Sequence, residues 1–182
     1  KKDPKAKKSA PLKKPKKPGV NLTLQVLAQT MHPKNPLPVR VEVHQADSIE
    51  WVLALAKEYK FPLILDQVSE GSSTLSSLKE AKVSAIIGPV FRYGLRPVDY
   101  SSHSPSTAFV LDEAGLSVAI GSFPDPNAGH VGVGSTRFLS EAVAWASRGR
   151  SSSDKALQMI TRNAANLLGV GKRVGTLEKG KD

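Results

Sequence analysis

Glu42 and His44 stand two residues apart in Val39-Arg40-Val41-Glu42-Val43-His44, a stretch rich in β-branched residues. On a strand, residues two apart project from the same face. A carboxylate and an imidazole so placed form a Glu-x-His pair that can supply part of a metal site, since Zn and Mn accept both donors. The plainer role for His44 is a pocket histidine hydrogen-bonded to backbone or carboxylate, and that role is favoured. Three other clusters invite chemistry and offer less. His103 lies among Ser101, Ser102 and Ser104, but without a strand-turn-helix elbow to expose a nucleophile it reads as a polar loop. Gly129-His130-Val131-Gly132-Val133-Gly134 resembles a phosphate loop only superficially: it matches neither a Walker pattern nor a dinucleotide fingerprint, and it reads as a flexible loop. Gly169-Val170-Gly171-Lys172 follows a helix rather than opening one, so it reads as a C-cap and turn.

Such residues need elements to hold them. Leu22, Val26 and Leu27 recur at helical spacing up to about Met31, and Pro33, Pro36 and Pro38 then break the chain. Residues 39–43 read as a strand. Asp47, with Glu50 three residues on, is placed to cap the next helix as a capping box, and Ile49, Val52, Leu53 and Ala56 form its apolar stripe. The unit repeats, with a strand at 61–65, a helix at 73–81 and a strand at 83–87. Beyond a long loop come a helix at 107–113 closed by Gly115, a strand at 116–120, and helices at 137–146 and 154–168. Leu157, Ile160, Ala164 and Leu168 make the expected apolar face of the last. Four short apolar strands alternating with amphipathic helices mean βαβ units, a parallel sheet and an α/β fold. Periodicity alone fits an open doubly wound domain and half of an eight-stranded barrel equally well.

Charge and composition narrow the function classes. The net charge is +10, but residues 1–17 hold nine Lys and one Asp, leaving +2 on the rest of the chain. The basicity therefore belongs to one segment. Residues 1–19 are Lys/Pro-rich and nearly devoid of large apolar side chains, and read as a disordered or linker segment. A polybasic arm for polyanions is the alternative. With aromatics at 5% and no aromatic or Arg interleaved among these lysines, nucleic acid is not the expected partner. No apolar run is long enough to span a membrane. Cysteine is absent, which excludes disulfides and Cys-based zinc sites but leaves the compartment open. The start, Lys1-Lys2-Asp3-Pro4, has no signal-peptide apolar core and no initiator Met, so an upstream segment is expected and localisation is unknown.

The C-terminal stretch carries a resemblance. Residues 155–170, Lys-Ala-Leu-Gln-Met-Ile-Thr-Arg-Asn-Ala-Ala-Asn-Leu-Leu-Gly-Val, lead into Arg173-Val174-Gly175-Thr176-Leu177-Glu178-Lys179-Gly180-Lys181-Asp182. This resembles the closing helix and tail of the amidohydrolase superfamily, most of all its imidazolonepropionase-like and prolidase-like members. Leu37 to Ile49 resembles the family's fifth-strand pattern, P-V-x-V-H-A-H-x-A-x-x-I. Leu65-Asp66-Gln67-Val68-Ser69-Glu70 resembles the sixth-strand x-E-H-x-[ST]-E, and Gly115 to Phe123 resembles the eighth-strand G-V-x-V-A-I-G-T-D.

The resemblance implies a partial TIM (β/α)8-type barrel. Residues 20–172 would be its C-terminal half, about strands 5–8 with their helices, and residues 173–182 would lead into a small β-sandwich that is cut short. It also implies a metal-dependent hydrolase of non-peptide C–N bonds, with ligands at the positions of Glu42, Gln67 and Phe123. Glu42, with His44 beside it, can still ligate. Gln67 offers only a neutral amide oxygen, and Phe123 offers neither a ligand nor a base. Asp125 could replace the missing carboxylate only from a loop restricted by Pro124 and Pro126. The expected protein is thus a catalytically degraded or divergent relative with no cofactor, retained as a barrel scaffold for a small-molecule ligand. The alternative is part of a working enzyme holding Zn or Mn, completed by upstream strands. Half a barrel leaves two open sheet edges, so the missing N-terminal half or a homo-oligomer is the expected partner.

Overall fold

Four runs of Val, Ile, Leu and Ala become strands: β1 Val39–Val43, β2 Leu63–Gln67, β3 Ser84–Ile87 and β4 Val118–Ile120. All are parallel, in the order β1-β2-β3-β4, with Val39 opposite Leu63, Ile64 opposite Ser84 and Ala85 opposite Val118. Parallel neighbours need a crossover between them, and helices supply it. The helices are α1 Leu22–Thr30, α2 Ala46–Tyr59, α3 Leu75–Ala81, α4 Thr107–Glu113, α5 Leu139–Ala146, α6 Ser153–Ile160 and α7 Arg162–Leu167. The computed structural model describes residues 19–88, 90, 103–122, 136–148 and 153–182. The Lys/Pro-rich residues 1–18, Ser101, Ser102, Phe123, Asp125 and the 129–134 loop lie outside them. The expected α/β fold with four parallel strands is present, and each strand begins or ends within about two residues of its expected position.

Strand alternation divides the sheet into two faces. Val43, Leu63, Leu65, Ala85, Ile87, Val118 and Ile120 enter one apolar core with Ile49, Leu53, Leu78, Phe109, Leu111, Val143 and Met159 from the helices. The opposite face carries Arg40, Glu42, Ile64, Asp66, Ser84, Ile86 and Ala119. One face is therefore a packed core and the other mixes polar with apolar groups.

Two local expectations are corrected. Asp47 does not cap α2: the helix begins at Ala46, Gln45 precedes it without a side-chain cap, and Asp47 Oδ1 accepts from Ser48 N instead. The first-turn Ala46 N–H is met from another loop, by Glu70 Oε2 at 2.7 Å. The expected 154–168 helix is two helices, broken at Thr161 (φ −123°, ψ −89°), whose Oγ1 donates back to Leu157 O. Within α6 the buried positions are Ala156 and Met159, and beyond the break Ala165 is buried in α7, while Leu157 and Leu168 are more than half exposed. Gly169, at φ +73°, forms the expected C-cap, with its N–H on Asn166 O and Val170 N–H on Ala165 O. Beyond it, residues 173–182 fold back without forming a strand: Asp182 N–H reaches Arg173 O, and Gly175, at φ +100°, sits where a Cβ would meet Ala165 Cβ at 2.6 Å.

α1 differs from the others. Asn21 caps it through Leu24 N–H, yet none of its residues is buried, and Leu22, Leu24, Val26 and Leu27 are all more than half exposed. Trp51, on α2, is 79% exposed. No helix among the described residues is long and apolar enough to cross a membrane.

The phase of α6 is testable. Met159→Ala should cost about 2–5 kcal/mol in urea denaturation, as a buried large-to-small change does. Leu157→Ala should stay within about 0.5 kcal/mol. Equal losses at both sites would show that the face is misassigned.

Candidate functional site

In a parallel βα sheet the C-terminal ends of all strands gather on one side, where the following loops can converge on a ligand. Here that rim holds Val43 and His44 at the end of β1, and Gln67 to Glu70 at the end of β2. His44 is buried at 8% exposure, with Nδ1 at 2.7 Å from Ser69 Oγ. Its Nε2 lies 3.7 Å from Glu42 Oε1, whose side chain is 65% exposed. The backbone reinforces this pairing. Glu70 N–H donates to His44 O at 2.9 Å, Val68 N–H to Val43 O at 2.8 Å, and Glu70 Oε2 caps Ala46 N–H. Four hydrogen bonds thus stitch the β1–α2 loop to the β2–α3 loop.

The stitched segment is strained. Gln67 (φ +74°) and Val68 (φ +46°) occupy the left-handed region in succession, although neither is glycine and Val68 is β-branched and fully buried. Such conformations cost on the order of 1–3 kcal/mol each and persist where their surroundings over-determine them.

One layer beneath the rim, Arg40 Nε donates to Asp66 Oδ2 at 2.5 Å. Asp66 is 6% exposed, and its Oδ1 is buried without a hydrogen-bond partner. Burial pushes its carboxyl above the ordinary range. Arg40 opposes that rise and Glu42, directly opposite on β1, adds to it. The guanidinium satisfies only one carboxylate oxygen, so the charge remains under-compensated.

The structure brings the expected Glu42 and His44 side by side and pairs Gln67 with Val43 on the neighbouring strand. Phe123 and Asp125 fall outside the described residues. Among the described residues no group of three or more His, Cys, Asp or Glu is arranged to hold a metal ion. One imidazole nitrogen is taken by Ser69, Glu42 is mostly in solvent, and the third position bears an amide. Among the described residues these donors do not by themselves make a hydrolytic metal centre. Near His103, Ser104 and Ser106 bond to each other at 2.9 Å in the turn before α4, as a polar loop would.

Residue reading did not single out Ser69, Glu70, Arg40 or Asp66 as structural partners. A signal existed for two of them: Arg40 and Asp66 are charges inside otherwise apolar strands, and a charge buried there needs a partner. Ser69 and Glu70 were visible only as matches to a strand pattern.

The amidohydrolase family profile matches residues 26–182. Among solved structures, an amidohydrolase from Thermotoga maritima MSB8 superposes with TM-score 0.76 at 23% identity, covering 92% of this chain and 41% of that one. An adenosine deaminase from Xanthomonas campestris with bound zinc superposes with TM-score 0.50 at 23% identity, covering 80% of this chain and 35% of its own. At these identities the likeness is one of fold, and this chain spans about two fifths of the first barrel's length. No curated protein sequence matches the chain.

The Asp66 environment has a pH signature. A carboxyl whose folded pKa is raised holds a proton in the folded chain that the unfolded chain has already released. Its stability contribution therefore falls as pH rises through that window. Asp66→Asn removes the titration. Urea titrations across the acid range should show wild type gaining on Asp66→Asn as pH falls, and a pH-independent difference would contradict the assignment.

Proposed function

This chain belongs to the amidohydrolase family, and from that premise we propose that it is the C-terminal half of the family's barrel with a degraded metal centre. In this reading residues 20–172 are about strands 5–8 with their helices, and 173–182 are the start of a small β-sandwich. The parallel order of four strands and the 41% coverage of the T. maritima barrel support it. The missing half would cover β1 and β4, and with them the bare apolar surface of α1 and Trp51. Self-association of the chain is the competing way to cover them.

The observation that carries the loss of chemistry is the donor set at the strand ends. A metal-activated water needs several ligands converging on one point and a carboxylate to take its proton. Glu42 is solvated, His44 is tied to Ser69, and Gln67 stands where the resemblance places imidazole. What remains is a polar patch of Arg40, Glu42 and Asp66 on the sheet face away from the core, suited to orienting a small polar ligand. One feature supports the competing reading of a working Zn- or Mn-dependent hydrolase. With Nδ1 fixed by Ser69, His44 presents Nε2 towards Glu42, as an oriented ligand does.

Metal analysis of a preparation that includes the upstream half separates the two. The expected result is substoichiometric zinc and manganese, unchanged by Glu42→Ala or His44→Ala. Stoichiometric metal that disappears together with hydrolytic activity in either variant would overturn the degraded reading.

A further inference from the structure

The strained pair at the end of β2 reverses the side-chain alternation of that strand. Leu63 and Leu65 enter the core, whereas Asp66 lies on the other face against Arg40. Continued alternation would send Gln67 into the core and Val68 to the opposite face. Instead Val68 is fully buried in the core cluster and Gln67 is only partly buried. Two successive left-handed residues produce this inversion.

We infer that Ser69 and Glu70 are positioning residues that hold the inversion and so keep side chain 67 on the rim with Glu42 and His44. Ser69 Oγ bonds His44 Nδ1, Glu70 N–H bonds His44 O, and Glu70 Oε2 bonds Ala46 N–H, all at 2.7–2.9 Å. These contacts anchor the residues immediately after the strained pair to the end of β1. Val68 N–H anchors the pair itself through Val43 O. The backbone of a three-position rim is therefore built, although the side chain at one position is a poor metal ligand. The inference rests on the reading of 42, 44 and 67 as the inherited strand-end positions, but it concerns geometry rather than activity.

Zinc is the probe, titrated calorimetrically into the full chain with circular dichroism as the check on folding. Gln67→His places an imidazole beside Glu42 and His44, and should bind zinc at least about tenfold tighter than wild type. Adding Ser69→Ala should weaken that binding about 10–100-fold, the range expected for loss of an orienting partner, and Ser69→Thr in its place should preserve it. If Ser69→Ala unfolds the chain, Glu70→Ala in the Gln67→His background removes the Ala46 contact and should weaken zinc binding in the same direction. A folded Gln67→His variant that binds no tighter than wild type would overturn the inference. So would zinc affinity that survives loss of Ser69 or, where that variant unfolds, of Glu70. Wild-type affinity alone reports on the degraded-site reading, so the two failures are distinguishable.

Discussion

Alternation along parallel strands is the constraint on which the rest of this molecule depends. Because successive side chains point to opposite faces, each of four short strands contributes both to an apolar core beneath the helices and to a second face that need not be apolar. Parallel connection then gathers every strand's C-terminal end on one side. Core, second face and rim are thus fixed together. A residue's place in the two-residue period decides whether it packs, pairs or meets a ligand.

The polar groups follow from that division. Arg40 and Asp66 lie on the face away from the core, where a charge can be kept if another charge answers it. The answer is incomplete, with one carboxylate oxygen bonded and the other buried without a partner. At the rim the accounting is tighter. His44, Ser69, Glu70 and Ala46 satisfy one another, and the backbone between them tolerates left-handed torsions that Gln67 and Val68 would not adopt in isolation. The rim is consequently better determined in its backbone than in its chemistry.

Much of the fold was legible because it rests on periodicity. The β-branched run Val39–Val43 forms its strand at the expected bounds, the strand expected at 61–65 forms two residues later at Leu63–Gln67, and Gly115 and Gly169 end their helices where left-handed torsions are needed. The α6 face was misread because Leu157 was taken as its anchor, whereas Ala156 and Met159 are the residues that α6 buries. Asp47 was misread because the Ala46 N–H at the start of α2 is met by Glu70, twenty-four residues away. Glu42 and His44 were legible as neighbours from their spacing. The inverted pair at Gln67 and Val68 was not, since nothing in a Gln-Val dipeptide announces positive φ. Tertiary contacts impose it.

The break at Thr161 has a further consequence, for what holds the C-terminal helices in place. α6 has eight residues and α7 six, and helices so short do not persist alone in water. Their buried side chains, Ala156, Met159 and Ala165, find cover against the sheet and the neighbouring elements, and Asn163 Nδ2 bonds Val118 O on β4 itself. The C-terminal helices are therefore held by their packing against β4 and their neighbours rather than by their own length.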